Sequence, residues 1–170
     1  TVLSHLATAL ARTGAYPRGV CAVYLDMQSG EVAYYVGQSP RVTVSALLDA
    51  GGRLDVELLR SAITNSTYGF SILAAPETIT ALDEVDPEQL FSMLALVRQE
   101  FDCVLVDLPA DWSGWALSVA LASDQVLLVT ELSVAGLRQA RRRLDLFSSI
   151  GVADDAVRIV VNRVERKLFR

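Results

Sequence analysis

The stretch Phe101–Glu131, FDCVLVDLPADWSGWALSVALASDQVLLVTE, decides the fold. It opens with the apolar run Cys103–Val106, which Asp107 ends. A short apolar run bounded by turn residues is typical of a strand buried on both faces. A Pro- and Gly-containing loop follows, then a predicted helix at Trp115–Ala122 and a second apolar strand at Gln125–Thr130. The order strand, loop, helix, strand predicts a βαβ unit.

The same reasoning extends outward from this unit. Apolar runs predict three more strands, at 20–25, 70–74 and 157–161. Helical spacing and candidate caps predict helices at 1–12, 42–49, 54–63, 87–100 and 133–149. Strands that are buried on both faces and alternate with helices indicate a doubly wound, mostly parallel α/β sheet. We therefore expect residues 1–170 to form a single domain of this class.

Composition narrows the function classes. The 170 residues carry a net charge of −5, which argues against attraction of the whole surface to nucleic acid or anionic lipid. No apolar run reaches the ~18 residues of a membrane span. Cys21 and Cys103 lie in strand-like apolar runs without metal-ligand spacing, as expected for reduced core residues of a cytosolic protein.

Three polar residues stand where predicted strands end: Asp26, Asp107 and Asn162. The carboxyl ends of parallel strands meet at one edge of a sheet, where ligands bind, so we expect one shared site. A carboxylate such as Asp107 can hold a metal-bound water beside a phosphate. From the residues alone, Asp107 could equally be a helix cap or turn residue, and Asn162 a turn residue that ends its strand.

Six segments together carry a family resemblance. They are YLDMQSGEVAYYVG (24–37), FSILAAPET (70–78), VDPEQL (85–90), VRQEFDCVLVDLPADW (97–112), SDQVLLVTELSVAGLRQARRRLDLF (123–147) and VRIVVNRVER (157–166). In this order and spacing the chain resembles the MinD/ParA family of P-loop ATPases, and within it the pilus-assembly branch (CpaE/TadZ-like). The resemblance covers essentially the whole chain.

The resemblance implies a P-loop NTPase fold whose cofactors are ATP and Mg²⁺. Thr1–Arg12 matches the helix that follows the phosphate loop, so the first strand and the loop itself lie outside this stretch. Asp26 matches the catalytic aspartate that orients the attacking water. Asp107 matches the aspartate that binds Mg²⁺ through a water, and Leu108–Gly114 matches the switch loop after it. Asn162 matches the asparagine that reads the adenine edge, for which an amide offers both a donor and an acceptor.

Two positions depart from the family pattern. Tyr24 stands where the family has a second acidic residue, and a phenol with a pKa of ~10 cannot supply a carboxylate. His5 stands where the family often has asparagine. We therefore expect weak or lost ATP hydrolysis, and hydrolysis at all only if an intact phosphate loop precedes Thr1. The alternatives are that Tyr24 is a core aromatic residue and His5 a partly exposed helix residue.

The implied function is that of an ATP-binding or degenerate ATPase domain in a pilus-assembly and positioning protein. The alternative is an active ATPase of chromosome or plasmid partitioning or of septum-site placement. Expected partners are a second copy of the chain and pilus-assembly or polar-localisation proteins. The expected location is the cytoplasm, at the cell pole or the inner face of the membrane.

The predicted helix 133–149 carries two further expectations. The apolar side chains Leu137, Leu144, Phe147 and Ile150 are expected to point inward. Arg138, Arg141 and Arg142 share one face, but the presence of only three arginines on an acidic chain argues against DNA as a partner. In the switch loop, Trp112 is a candidate for an exposed interface residue, whereas Trp115 is expected to be packed.

Overall fold

The computed structural model describes residues 2–26, 42–75, 85–110 and 112–164. The loop expected at 27–30, the short element expected at 31–36 and most of the acidic segment 77–86 lie outside these residues. The chain divides into two compact units, Thr1–Trp115 and Ala116–Arg170, and the division falls within a helix.

Among its described residues, the first unit contains four helices and four strands. In chain order they are α1 (Val2–Arg12), β1 (Val20–Tyr24), α2 (Val44–Leu48), α3 (Val56–Ala62), β2 (Ile63–Asn65), β3 (Ser71–Leu73), α4 (Pro87–Glu100) and β4 (Cys103–Asp107). A 3₁₀ turn at Gly51–Arg53 joins α2 to α3. The remaining elements are α5 (Gly114–Ala122), β5 (Val126–Glu131), α6 (Val134–Ile150), a 3₁₀ turn at Asp154–Ala156 and β6 (Val157–Asn162).

The sheet of the first unit has the order β2-β3-β1-β4. Strand β1 pairs in parallel with β3 and with β4, which confirms the predicted mostly parallel sheet. Strand β2 pairs antiparallel with β3 and is an element that the sequence prediction missed. Ile63 was assigned to the preceding helix, but α3 ends at Ala62 and Ile63 pairs with Leu73.

Side chains at helix starts act as the sequence indicates. The Asp55 carboxylate accepts from the Leu58 N–H at 2.8 Å, and Asp86 accepts from the Glu88 N–H at 2.9 Å. The Ser133 hydroxyl accepts from the Gly136 N–H at 2.9 Å. Each bond satisfies a backbone donor that has no partner within its own helix, which is why these helices begin there.

Helix α1 covers one face of the sheet. Its residue Ala7 packs in a buried cluster with Val20, Ala22 and Tyr24, which alternate along β1. Cys103 and Leu105 of β4 are partly buried against the same cluster. All five side chains of β1 are buried, so both of its faces are covered. Helix α1 thus lies over β1 and β4 and is held beside their ends.

The second unit is built on a parallel β5–β6 pair in which Val126 pairs with Val157 and Glu131 with Asn162. Helix α6 packs against β5, and its residues Ala140 and Phe147 are buried. Gly151 closes α6 with a φ of 91°, a left-handed conformation that glycine adopts without strain.

The inward-facing set predicted for α6 needs one correction. Phe147 is buried and Leu144 and Ile150 are partly buried, but Leu137 is 52% exposed. The buried residues of α6 are Ala140 and Phe147. At 100° per residue, Leu137 lies about 60–80° away from them around the helix axis. Among the described residues, no helix is long and apolar enough to cross a membrane.

Candidate functional site

The carboxyl edge of the first unit brings Asp26 and Asp107 to the same place. Tyr24 pairs with Asp107 in the parallel register of β1 and β4. One residue further, the Leu25 N–H donates to the Asp107 carbonyl at 3.0 Å. Asp26 follows directly, so the ends of neighbouring strands carry one carboxylate each. This is the arrangement that the strand-end positions in the sequence predict for these two residues.

The surroundings of Asp107 disfavour its charged form. Burial first, and then the negative charge of Asp26, raise the pKa of Asp107 from its ordinary value of 3.8 to about 6. A carboxylate that is partly desolvated beside a second negative charge favours binding of a proton or a cation. The electrostatics of the edge therefore suit a positively charged ligand.

Helix α1 directs its amino-terminal end toward this edge. The connection 13–19 leads from the end of α1 to the start of β1, so the end of α1 lies at the opposite edge of the sheet. At ~1.5 Å per helical residue and ~3.3 Å per strand residue, α1 and β1 have nearly equal lengths. The amino-terminal end of a helix carries unpaired N–H groups and a positive partial charge. The edge thus combines carboxylates with a helix end that attracts anions.

At the opposite edge, bonds from Arg18 join the turn before β1 to the residues before β4. The Arg18 Nε donates to the Asp102 carboxylate at 2.6 Å, and its backbone N–H donates to the same group at 2.8 Å. The Arg18 Nη1 also donates to the Gln99 carbonyl at 2.6 Å. These bonds from Arg18 lower the pKa of Asp102. They tie the turn before β1 to the start of β4, which fixes the register that brings Asp26 beside Asp107.

Tyr24 is a core residue and not an edge residue. It is 1% exposed and belongs to the cluster under α1. This agrees with the core-aromatic alternative for Tyr24. His5 is exposed on α1, in agreement with its alternative as a helix residue near the surface. A carboxylate introduced at position 24 would be buried, so a Tyr24→Asp variant would lose stability before it could report on catalysis.

The loop after Asp107 is partly packed. Pro109 is buried, and Trp115 is 5% exposed, as expected. Trp112, the candidate for an exposed interface residue, has a partly buried side chain whose Nε1 is out of contact with solvent. The buried hydroxyl of Ser113 finds no hydrogen-bond partner within the described part of the chain. The sequence signal for Ser113, its position directly before α5, indicates a helix cap, yet this hydroxyl forms no cap bond.

The donor set fits magnesium better than a metal that needs several protein ligands. Within 2–26, 42–75, 85–110 and 112–164, no three or more His, Cys, Asp or Glu side chains are grouped to hold a metal ion. Mg²⁺ is usually bound through one or two carboxylates, several waters and the phosphates of a substrate. Asp26 and Asp107 provide such a pair of carboxylates beside a helix end suited to phosphate.

Asn162 lies at the carboxyl edge of the second unit. It pairs with Glu131 at the end of the parallel register and is exposed. Arg163 then adopts a φ of 54°, which turns the chain away from the strand. Sequence reasoning did not single out Glu131, whose carboxylate accepts from the Ser133 hydroxyl at 3.1 Å. That Asn162 joins the two aspartates in one site remains a prediction.

Comparison with known sequences points to one group of proteins. The chain is 25% identical over 171 residues to the septum site-determining protein MinD of Bacillus subtilis. It is 20% identical over 172 residues to the MinD of Thermotoga maritima. These alignments cover 100% of this chain but only 62% and 61% of the two relatives. No family model matches the sequence.

Solved structures extend the likeness to the fold. The ParA family ATPase of Chlorobium tepidum superposes with a TM-score of 0.83 at 22% identity, covering 96% of this chain and 68% of that one. The cell division ATPase MinD of Pyrococcus furiosus superposes with a TM-score of 0.76 at 26% identity, and the match covers 97% of this chain and 66% of that one. MinD of Pyrococcus horikoshii, solved with Mg-ADP, superposes with a TM-score of 0.76 at 22% identity, and the match covers 98% of this chain and 65% of that one.

One further structure shows a relative with a partner. The MinC:MinD complex of Aquifex aeolicus superposes with a TM-score of 0.75 at 22% identity, and the match covers 96% of this chain and 62% of that one. In every one of these comparisons the chain spans roughly three fifths to two thirds of its relative. The chain has the mostly parallel α/β fold of the MinD/ParA P-loop ATPases, and its sequence is similar to those of MinD proteins.

Proposed function

We propose that this chain is the larger part of a Mg-nucleotide-binding domain of the MinD/ParA type. The observation that carries the proposal is the carboxyl edge of the first unit. There two strand-end aspartates meet, and the amino-terminal end of α1 is directed at them. Mg-ADP, which is bound in the MinD structure of Pyrococcus horikoshii, combines a cation with phosphates and so matches both features of this edge.

Each edge residue has a role in this proposal. Asp107 holds a Mg²⁺-bound water, which suits a carboxylate whose burial and negative neighbour favour a cation. Asp26 orients the water that attacks the terminal phosphate. Asn162 contacts the adenine edge through its amide donor and acceptor. The bound cation would neutralise charge that develops on the phosphates during transfer.

The cellular role that we propose is that of a positioning ATPase which acts with a second copy and with partner proteins. The curated relatives are named as septum site-determining proteins, which supports septum-site placement or partitioning more than pilus assembly. The second candidate is a scaffold in pilus assembly. In either case we propose that the protein acts in the cytoplasm, at the cell pole or at the inner face of the membrane. The complex of MinD with MinC supports a partner protein rather than DNA as the main contact.

Slow hydrolysis is part of the proposal. The position that the family fills with a second acidic residue holds a tyrosine whose side chain is in the core. The edge therefore offers one carboxylate, Asp26, to orient water and one, Asp107, to bind the cation. We propose that nucleotide binding persists while turnover stays below the ~1 s⁻¹ at the low end of typical enzymes.

The test is calorimetric titration of the full-length protein with ADP and a non-hydrolysable ATP analogue, with Mg²⁺ and with EDTA. We expect Mg²⁺-dependent binding that Asp107→Asn weakens at least tenfold, because the amide cannot replace the carboxylate toward hydrated Mg²⁺. Asp26→Asn should retain binding and lower turnover. Asp49→Asn, an exposed aspartate at the end of α2, is the matched control.

Two results would contradict the proposal. Absence of nucleotide binding in the full-length wild-type protein would remove it altogether. Binding that is equally tight with EDTA, or unchanged in Asp107→Asn, would show that the nucleotide sits away from the carboxyl edge of the first unit.

A further inference from the structure

Glu131 ends β5 directly beside Asn162, which ends β6. The two residues are partners in the parallel register of the second unit, at its carboxyl edge, and both are exposed. Neighbouring strands lie about 4.8 Å apart, and residues paired in register leave the sheet on the same side. A carboxylate and an amide therefore extend next to each other from this edge. The pair lies wholly within the second unit.

The start of α6 fixes the position of Glu131. Its Oε1 accepts from the Ser133 hydroxyl at 3.1 Å, and that hydroxyl accepts from the Gly136 N–H at 2.9 Å. The Ser133 N–H also donates to the Glu131 carbonyl at 2.9 Å. Gly136 packs so closely that a Cβ at this position would lie 2.5 Å from the same carbonyl oxygen. A glutamate held in this way loses little conformational freedom when a ligand binds, which favours affinity.

The remaining polar atoms of the pair are available to a ligand. Within the part of the chain that the structure describes, the Asn162 amide forms no hydrogen bond and Glu131 Oε2 accepts none. A carboxylate oxygen only accepts hydrogen bonds, whereas an amide also donates them. The edge therefore presents a charged acceptor next to a donor. Such a pair is complementary to a ligand that carries a donor next to an acceptor.

We propose that Glu131 selects adenine at this edge by accepting a hydrogen bond from the N6 amino group of the base. Asn162 Nδ2 then donates to a neighbouring ring nitrogen. Exocyclic amino groups of bases donate to carboxylates, and the ring nitrogens beside them accept from amides. The inference rests on the proposed role of Asn162 at the adenine edge, and it adds the residue that decides which base is accepted.

The negative charge of Glu131 is what discriminates between bases. Hypoxanthine and guanine carry a carbonyl oxygen where adenine carries the N6 amino group, so the carboxylate would face another acceptor. A site built for a donor rejects an analogue that lacks it, because a polar group of the site is left unpaired. Since Glu131 is exposed and water reduces the penalty, we expect a preference of about tenfold, the low end for a hydrogen bond to a charged group.

The experiment compares nucleotide affinities of the full-length protein by calorimetric titration in the presence of Mg²⁺. ADP, inosine diphosphate, GDP and 2′-deoxyADP are each titrated into the wild type, Glu131→Gln and Glu57→Gln. Glu57 is an exposed glutamate in the first turn of α3, so its variant is the matched control. Urea unfolding of each variant shows whether its stability has changed.

The wild type should bind ADP about tenfold more tightly than inosine diphosphate. Glu131→Gln should lower this ratio to about two, because the glutamine amide can turn either to accept from the amino group or to donate to the carbonyl oxygen. Glu57→Gln should keep the wild-type ratio. The preference for ADP over 2′-deoxyADP should be the same in all three proteins, because the ribose does not contact Glu131 in this proposal.

Several outcomes overturn the inference while ADP still binds, and these leave the proposed function intact. One is a ratio near one in the wild type or an unchanged ratio in Glu131→Gln. Another is tighter binding of GDP than of ADP, which would place the carboxylate on the N1 and N2 hydrogens of guanine. A third is that Glu131→Gln changes only the preference for ADP over 2′-deoxyADP, which would place the carboxylate on the ribose.

A structural role gives a different result. A negative charge before the amino-terminal end of a helix stabilises the helix. If Glu131→Gln lowers the unfolding free energy but keeps the ratio of ADP to inosine diphosphate affinity, Glu131 acts only on α6 and the inference is wrong. Absence of binding for every nucleotide would contradict the proposed function and this inference together.

Discussion

Strands β1 and β5 have similar sequences but different surroundings. VCAVY and VLLVTE are both apolar runs that predict strands buried on both faces. In the first unit β1 lies between β3 and β4 under α1, and every side chain is buried. In the second unit β5 pairs with β6, and Leu127 and Val129 remain about 40% exposed.

The difference shows that apolar sequence predicts a strand but not its burial. Burial requires a neighbouring strand on each side, and within the described residues β1 and β3 have two such neighbours while β4, β5 and β6 have one each. Strand β4 has one partner, and its five side chains are only partly buried. On β6, Ile159 and Val161 are exposed. The expectation of doubly buried strands is thus correct for β1 and wrong for β4, β5 and β6 within the described chain.

The largest effect should come from truncating a core leucine in the first unit. Leu73 on β3 is fully buried, so Leu73→Ala should cost about 2–5 kcal/mol of unfolding free energy through lost burial and a residual cavity. Leu127→Ala on β5 should cost about 1 kcal/mol because the side chain is already partly in water. Urea unfolding of the full-length protein measures both. Equal losses would contradict the contrast between the two strands.

The next effect concerns the pH dependence of stability. Because burial raises the pKa of Asp107 to about 6, the folded state binds a proton between pH ~4 and ~6 that the unfolded state has lost. Unfolding free energy should therefore fall as the pH rises through this window. Asp107→Asn should abolish this decrease. Above pH 6 the unfolding free energy of the variant should exceed that of the wild type by up to about 3 kcal/mol.

This measurement needs urea titrations at several pH values with EDTA and without nucleotide, because a bound cation would offset the repulsion between the carboxylates of Asp26 and Asp107. Asp49→Asn should show the wild-type pH profile. A stability that rises between pH 4 and 6 in the wild type but not in Asp107→Asn would have the wrong sign for a buried carboxylate with a raised pKa.

Helix caps should give an intermediate effect of the same size in both units. Asp86→Ala removes the bond to the Glu88 N–H, and Ser133→Ala removes the bond to the Gly136 N–H. Each should cost about 1 kcal/mol, because one backbone donor at the helix start loses its acceptor. Thermal unfolding followed by circular dichroism measures the loss, with Asp86→Asn and Ser133→Thr as variants that keep a cap. A loss as large in the capped variants would rule out capping as the cause.

The smallest effect should follow removal of the exposed pair on α6. Asp145→Ala breaks the contact with Arg141 at 3.1 Å, which is worth about 0.3–0.5 kcal/mol for residues four apart on a helix. The loss should disappear in 1 M NaCl. A loss above about 1 kcal/mol would show that Asp145 has a role beyond this pair.

Local sequence signals predicted most of the fold. Capping residues such as Asp55 and Ser133 marked helix starts because their side chains bond to nearby backbone groups. Strand β2 was missed because three residues carry no periodicity, and they become a strand only through their antiparallel pairing with β3. Leu137 was placed inward because apolar character alone cannot show which helix face meets the sheet.

The site was predictable to the extent that it depends on strand ends. Asp26 and Asp107 come together because parallel register places the ends of β1 and β4 side by side. The raised pKa of Asp107 could not be predicted, since it depends on how deeply the carboxyl group is buried and on the nearby charge of Asp26. The core position of Tyr24 also needed the structure, because a residue next to the end of a strand can face either way.

Iron-mediated cleavage of the full-length protein tests the central claim most directly. Fe²⁺ replaces Mg²⁺ in the presence of ADP, and ascorbate with peroxide then cuts the backbone near the bound metal. The account predicts cuts beside Asp26 and beside Asp107, dependent on ADP and suppressed by excess Mg²⁺ and by Asp107→Asn. Cuts that are confined to other parts of the chain, or that Asp107→Asn leaves unchanged, would contradict a Mg-nucleotide site at the carboxyl edge of β1 and β4.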